Sequence, residues 1–365
     1  MSARVGSSFV TIKKEAIMAT FKMFERTVWV LLGAFFLTGN LVAQNSSSDK
    51  AGALPDPAVQ KITGPYTHEN LSIFLLHGDN YLTGKHFLTL EEALAQKKVA
   101  VYETGVVNEL LVENLSDEEI FIQSGDIVKG GKQDRTLSYD LIIPPKSGKI
   151  KITSFCVEHG RWSGRGKETT GEFNSSEQRL AGKQLKIAAV YANDQSEVWR
   201  NVTAVQDRLS RNLNTTVNST QSVSSLPLSL ENQKVKETVA DYVRALSPIV
   251  DGKRDVIGFA FAINGAVNSA DVYASHALFL KMWPKLLKSS AVEAISELTG
   301  NKNFKAATPA MVFACLKDAA KGKRSQKTVS SRVRILTNET EMNLLFETQD
   351  QDRKGQWIHK SYIQK

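Results

Sequence analysis

The sequence predicts an α+β fold: a β-rich first half with hairpins, helices in the middle and later part, and antiparallel strands at the end. Three observations carry this reading. Short apolar runs bounded by turn residues dominate the first half. From Asp194 the apolar spacing changes to four, three, four and four (Val198, Val202, Val205, Leu209, Leu213), one stripe of an amphipathic helix. Late in the chain Asn264-Gly265 separates Val256–Ile263 from Ala266-Val267. That pair accepts the positive φ angles of a type I′ hairpin turn. The order is not a regular βαβ series, and no internal repeat is present.

The amino terminus reads as a signal peptide over residues 1–43. Lys22 and Arg26 precede an apolar run of ten residues, Val28–Leu37, and Ala43|Gln44 is a plausible cleavage point. The run is too short to span a bilayer as a helix, which takes about 20 residues; an uncleaved anchor is the alternative. Met18 or Met23 would begin a more usual signal sequence than Met1. No cysteine lies near the cut for a lipid anchor. A secreted or periplasmic location is expected, with no membrane span after cleavage. Residues 44–65, rich in Ser, Pro and Gly, read as a flexible leader, 66–310 as the main domain, and 311–365 as a basic carboxyl-terminal extension with closing strands.

Composition excludes several classes. With 42% hydrophobic and 23% charged residues the chain is globular rather than disordered. Two cysteines, Cys156 and Cys315, allow at most one bridge, so this is no disulfide scaffold. The net charge is +8, and residues 1–43 hold five basic and two acidic residues, which leaves +5 after cleavage. Six basic residues and no acidic one lie between Lys321 and Arg334. Without interleaved aromatics they mark no clear nucleic-acid partner and read as a solvated linker and strand edge.

The elements follow in order. Leu71–Leu76 is a strand. Thr89 and Glu92 have capping-box spacing for a short helix through Leu94. Val99–Glu103 is a strand, and Glu109–Glu113 with Ile120–Gln123 form an expected hairpin. A second hairpin is expected from Thr136–Ile143 and Lys149–Phe155 across Pro144–Gly148. Asp194 and Glu197 can cap the first long helix reciprocally. Asn214–Leu230 is a loop, and Val235, Val239, Val243 and Leu246 mark the next helix. Helices are expected over 275–299, broken or kinked at Pro284, and from Thr308 with Pro309 at the first helical position. Val329–Leu336, Met342–Thr348 and Trp357–Ile363 are the closing strands.

The second hairpin makes one constellation. If Ile143 faces Lys149, paired numbers sum to about 292, which places Arg135 near Val157, Asp134 near Glu158 and Gln133 near His159. Its open end then joins two loops, Ser124–Arg135 and Cys156–Arg165. Lys129, Lys132, Arg135 and Arg161 supply cationic donors suited to a carboxylate or phosphate. Gly130 and Gly131 let backbone amides approach an anion. Gln133 adds an amide, and Trp162 offers a flat face to a ring or sugar. Asp134 and Glu158 are the acid/base candidates. Cys156 is a lesser candidate nucleophile, since on a strand it shares a face with Glu158 and not with His159. The bland alternative is a salt-bridged rim that holds the sheet corner.

No P-loop is present, because Gly131 stands where the lysine should follow and Gln133 where Ser or Thr belongs. The histidines lack zinc spacing, so no metal site is expected, and no cofactor fingerprint appears.

Gly125-Asp126, Gly130–Arg135, the Pro144-Pro145 turn and Cys156–Trp162 resemble the ARG and Rhodanese-Phosphatase-superfamily-associated protein domain, a domain of unknown function. Val256–Gly265 and Leu280–Leu287 fit the same pattern, so the resemblance covers roughly 65–300. The family is named for its association with ADP-ribosylglycohydrolases and rhodanese-type phosphatases. The resemblance implies a link to ADP-ribose or phosphate-bearing ligands. The function expected is an exported accessory or ligand-binding domain for a small anionic, sugar-phosphate-like ligand. Alternatives are a hydrolase acting on such a ligand and a cell-envelope protein-interaction module.

Overall fold

In the computed structural model, residues 56–166, 168–300 and 303–365 are described. The expected signal peptide and the first part of the expected leader lie outside them. The first half holds β1 (Lys61–His68), β2 (Leu71–His77), β3 (Leu88–Thr89), α1 (Leu90–Ala95), β4 (Val99–Glu103) and β5 (Glu109–Asn114). It continues with β6 (Ile120–Ile122), β7 (Asp126–Gly130), β8 (Arg135–Leu137), β9 (Leu141–Ile143), β10 (Gly148–Cys156) and β11 (Phe173–Arg179). The helical part comprises α2 (Lys183–Lys186), a π-helical segment (Ile187–Ala192), α3 (Gln195–Asn212), α4 (Leu226–Leu230) and α5 (Gln233–Leu246). Then come β12 (Val256–Ile263), β13 (Ala266–Tyr273), α6 (His276–Ser296) and α7 (Pro309–Ala320). The closing strands are β14 (Lys323–Thr328), β15 (Val333–Glu339), β16 (Asn343–Asp350) and β17 (Gln356–Gln364).

An eight-stranded antiparallel sheet in the order β1-β2-β12-β13-β17-β16-β15-β14 forms the backbone of the fold. Alternation along β2 assigns its two faces. Leu71, Ile73 and Leu75 enter one core with α3, α5 and α6, while Phe74 and Leu76 enter a second beneath Val312 and Leu316 of α7. Every residue of β2 and β12 is therefore buried, which explains their unbroken apolar runs. A six-stranded sheet, β11-β7-β8-β10-β5-β4, and a three-stranded one, β3-β6-β9, share a third core.

Local signals hold where the determinants are local. Thr89 and Glu92 form the capping box. Asn264 and Gly265 take φ of 50° and 79° in the β12–β13 turn. Thr308 caps α7 with Pro309 in its first turn. Asp194 caps α3 through the Ser196 and Glu197 amides, at 2.8 and 3.1 Å. The reciprocal half is replaced, because the Asp194 amide donates to Ala188 O near the start of the π-helical segment.

Four expectations change, two of them through long-range pairing. Glu109–Glu113 and Ile120–Gln123 do not pair with each other: β5 joins β4 and β10, and β6 joins β3 and β9. Asn114 turns the corner between those sheets, its side-chain amide donating to Glu118 O, Ile143 O and Pro144 O. The 136–155 hairpin is paired only at its open end, where Arg135 faces Cys156 and Leu137 faces Ser154, one residue from the expected register. Nearer the turn, β9 leaves to pair with β6, and the first half of β10 pairs with β5. Pro284 does not interrupt α6, which runs from His276 to Ser296. The loop expected over 214–230 ends in the short helix α4.

The expected segment boundaries also differ from the architecture. Residues 56–65 are ordered: β1 starts at Lys61, and the buried Asp56 accepts from Lys360 Nζ at 2.9 Å and Tyr362 Oη at 2.7 Å. Residues 311–365 are not an appendage, since β17 lies between β13 and β16 inside the large sheet. Of the basic run, β14 is a fully exposed edge strand, but Arg332 is buried on Asp350 and Glu119. Among the described residues no helix is long and apolar enough to cross a membrane.

Candidate functional site

Strands β8 and β10 bring the two expected loops together. Asp134, Arg135 and Glu158 are completely buried there. Glu158 accepts from Arg161 Nε and Nη2, both at 2.7 Å, from the Asp134 amide at 2.9 Å, and from Ser222 Oγ. Asp134 accepts from Arg165 Nη1 at 2.9 Å, Ser225 Oγ at 2.6 Å and the Gly130 amide at 2.9 Å. Burial by itself would raise the Glu158 pKa, but the two Arg161 bonds, the Ser222 hydroxyl and the Asp134 amide outweigh it and lower it. Both carboxyl groups are thus hydrogen-bonded on all sides by protein groups.

The other expected ligand residues are likewise engaged. Arg161 Nη1 donates to Gly131 O at 3.0 Å and Nη2 to Gly130 O at 3.2 Å, which fixes the glycine loop from within. Gly131, at φ 53°, has the Phe173 ring 2.2 Å from where a Cβ would stand, so its small size serves packing. Lys129 Nζ lies 2.7 Å from both Glu231 carboxylate oxygens. Gln133 is buried, and its carbonyl accepts from Arg135 Nη1 at 3.0 Å. Trp162 is 43% exposed, with Lys132 Nζ 5.1 Å and the Arg135 guanidinium 5.5 Å from its ring centre. Cys156 is buried, and burial pushes its thiol up to about 11. Its backbone is clasped by Gln195, through Oε1 and Nε2, both at 2.8 Å. A protonated, enclosed thiol is no ready nucleophile.

A second cluster lies where the large sheet meets the smaller ones. His359 on β17 stands between two buried carboxylates, Nδ1 at 2.6 Å from Asp140 Oδ2 and Nε2 at 3.0 Å from Asp271 Oδ1. Tyr273 stacks on the imidazole at 4.6 Å and donates to Gln123 Oε1 at 2.8 Å. Asp140 also accepts from the Ser124 amide and Thr348 Oγ1, at 2.8 and 2.6 Å. All of these groups but Tyr273 border a cavity of about 40 Å³, whose wall includes Ser138, Arg179 and Lys186.

The cations here are anchored differently, and Arg179 Nη2 donates to Ser124 O. Arg179 Nε is 3.4 Å from Asp126, and Lys186 Nζ is 3.7 Å from Glu293. Buried Arg179 Nε and Ser138 Oγ have no hydrogen-bond partner. Buried polar atoms are ordinarily satisfied; Arg135 Nε and Arg165 Nε at the loops lack a partner as well, but Arg179 and Ser138 are the two that line this cavity.

The model of the ARG and Rhodanese-Phosphatase-superfamily-associated Protein domain, ARPP-1, matches residues 60–363. The chain belongs to this family. No curated protein and no solved structure matches it. The match runs from the residue before β1 into β17, so the ARPP-1 domain takes in all three sheets.

Burial alone would lower the pKa of the ARPP-1 His359, but Asp140 and then Asp271 outweigh it and raise it to about 9. Burial likewise would raise both carboxylates, and the imidazolium holds them low. The row is therefore anion, cation, anion near neutral pH. Among the described residues no group of His, Cys, Asp and Glu could hold a metal ion. Sequence reading passed over this cluster because Asp140 and His359 are 219 residues apart. One signal was available: Asn268, Ser269 and Asp271 interrupt a strand flanked by apolar β12, and a buried polar group needs a partner.

Proposed function

We propose that this is an exported ligand-binding domain, and that its small anionic ligand enters the His359 cavity. The paired loops act as its structural clamp. Arg179 and Ser138, whose Nε and Oγ make no hydrogen bond, line one cavity with the His359 imidazolium, and they carry this reading. A binding site is typically an enclosed space with a few convergent polar groups. At the loops, by contrast, each carboxylate already holds its donors within about 3 Å. Export rests on the basic, apolar and small-residue order of residues 22–43.

A hydrolytic role for the same cavity is the second reading, favoured by Asp271, a buried carboxylate on the cavity wall beside a proton-carrying imidazole.

Two measurements test the proposal. The melting temperature of the protein, followed against phosphate, sugar phosphates, nucleotides, ADP-ribose and acidic sugars, should rise with at least one anion. That rise should vanish in Arg179→Ala and persist in Lys129→Ala, because ligand binding stabilises only the state that holds the site. A rise lost in Lys129→Ala and kept in Arg179→Ala would return the site to the loops. For export, the amino terminus of the protein recovered outside the cytoplasm should be Gln44; recovery only inside cells with residues 22–43 intact would exclude it.

A further inference from the structure

The His359 cavity has a neighbour. A second hollow of about 180 Å³ is lined by Tyr191, Asn193, Ser325, Gln326, Lys327 and Thr337. Tyr139, Val190, Ile335 and Phe346 line both spaces, so they form the partition between them. One wall is the π-helical segment, an arrangement frequent at functional sites. Lys186, just before this segment, reaches the inner space; Val190 reaches both, and Tyr191 reaches the outer.

Tyr139 is pinned at the partition. Its hydroxyl donates to Asn193 Oδ1 at 2.7 Å and accepts from Lys327 Nζ at 2.5 Å, and Lys327 lies over its ring at 4.4 Å. Asn193 ends the π-helical segment with φ 52°, in the left-handed region. The outer hollow thus combines aromatic side chains with amide and hydroxyl groups, the lining that suits a hydroxylated ring.

Charge limits what the inner space accepts. Arg179, Lys186 and protonated His359 give three positive charges against the two of Asp140 and Asp271, which leaves one. Asp126 and Glu293 behind the two cations add two negative charges and Lys285, 3.6 Å from Asp126, one positive, so no surplus remains once this outer layer is counted. A dianion would be left partly uncompensated in a buried space, at high cost. The volume of about 40 Å³ corresponds to roughly three water-sized sites, the scale of a carboxylate.

We infer that the two spaces form one extended site for a sugar acid or similar polyhydroxylated carboxylate. Its carboxylate sits between Arg179 and Ser138, and its hydroxylated body lies in the outer hollow past Tyr139. This rests on the cavity reading above and adds the ligand class.

Calorimetric titration of the full chain with glucuronate, gluconate, acetate, glucose and glucose 6-phosphate tests it. At least one sugar acid should bind about 10-fold or more tighter than acetate, glucose and glucose 6-phosphate. Tyr191→Ala should remove most of the advantage over acetate without changing acetate binding. Tyr139→Phe, which keeps the ring but releases Asn193 and Lys327, should speed association. Tighter binding of glucose 6-phosphate, lost in Arg179→Ala, would overturn the carboxylate and leave the cavity reading standing. Equal binding of acetate and the sugar acids, untouched by Tyr191→Ala, would remove the outer hollow from the site. No binding by any of the anions would overturn both readings.

Discussion

Glu158→Ala should destabilise the protein by about 3–5 kcal/mol, one of the largest single-residue losses available outside the apolar cores. The carboxylate takes Arg161 bidentately, the Asp134 amide and the Ser222 hydroxyl, and it is completely buried. Its removal leaves the nearly buried Arg161 cation without its main partner and orphans a backbone amide. The network ties three stretches that are distant in the chain: the glycine loop, the 158–165 loop and the Ser222–Ser225 turn. Urea unfolding measures the loss. The companion experiment is ligand binding by Glu158→Gln, which keeps the shape and drops the charge. A structural clamp predicts lower stability with unchanged affinity for any anion that stabilises the wild type. Lost affinity in a folded Glu158→Gln protein would place Glu158 in the site instead.

His359→Gln should cost a similar amount, about 3–5 kcal/mol near neutral pH, because two buried carboxylates lose the cation between them. The pH dependence is the sharper test. A histidine that ionises near 6.5 in the unfolded chain and about 9 in the folded one contributes stability that is fully present below pH 6.5 and lost as pH rises toward 9. That contribution is on the order of 3 kcal/mol. Asp140 and Asp271, held below their ordinary values, act oppositely. Their contribution is present above about pH 4 and lost as pH falls through their folded values. Unfolding free energy measured from pH 5 to 9.5 should therefore decline on the alkaline side in the wild type and run nearly flat in His359→Gln. Equal slopes in both would mean that His359 does not carry the charge the geometry assigns it. Binding of an anion at the cavity should weaken over the same alkaline range.

The legible parts of this protein are those whose determinants lie within a few residues. The α+β class, the caps at Thr89, Asp194 and Thr308, the Asn264-Gly265 turn and the stripe of α3 depend on period, turn chemistry and capping, all local. The meeting of the 124–135 and 156–165 loops was also readable, because antiparallel pairing converts one turn into a register, and the register was within one residue. The purpose of those loops was not readable. Lys129, Arg161, Asp134 and Glu158 have the same composition in a ligand site and in a closed ion-pair network, and the partners that Ser222, Ser225 and Glu231 supply come from distant segments.

The sequence by itself determined the α+β class, the strands and helices that carry local signals, and which charged loops meet. Tertiary structure alone decided that β17 threads between β13 and β16, that β9 leaves its hairpin partner, and that residues 56–65 join the body. It alone also assembled Asp140, Asp271 and His359 around one cavity. The reason is physical: sheet partners are chosen by which apolar faces bury one another, and that choice is made across the whole chain. Buried charges then collect where strands from different parts of the sequence cross, at positions no local pattern marks.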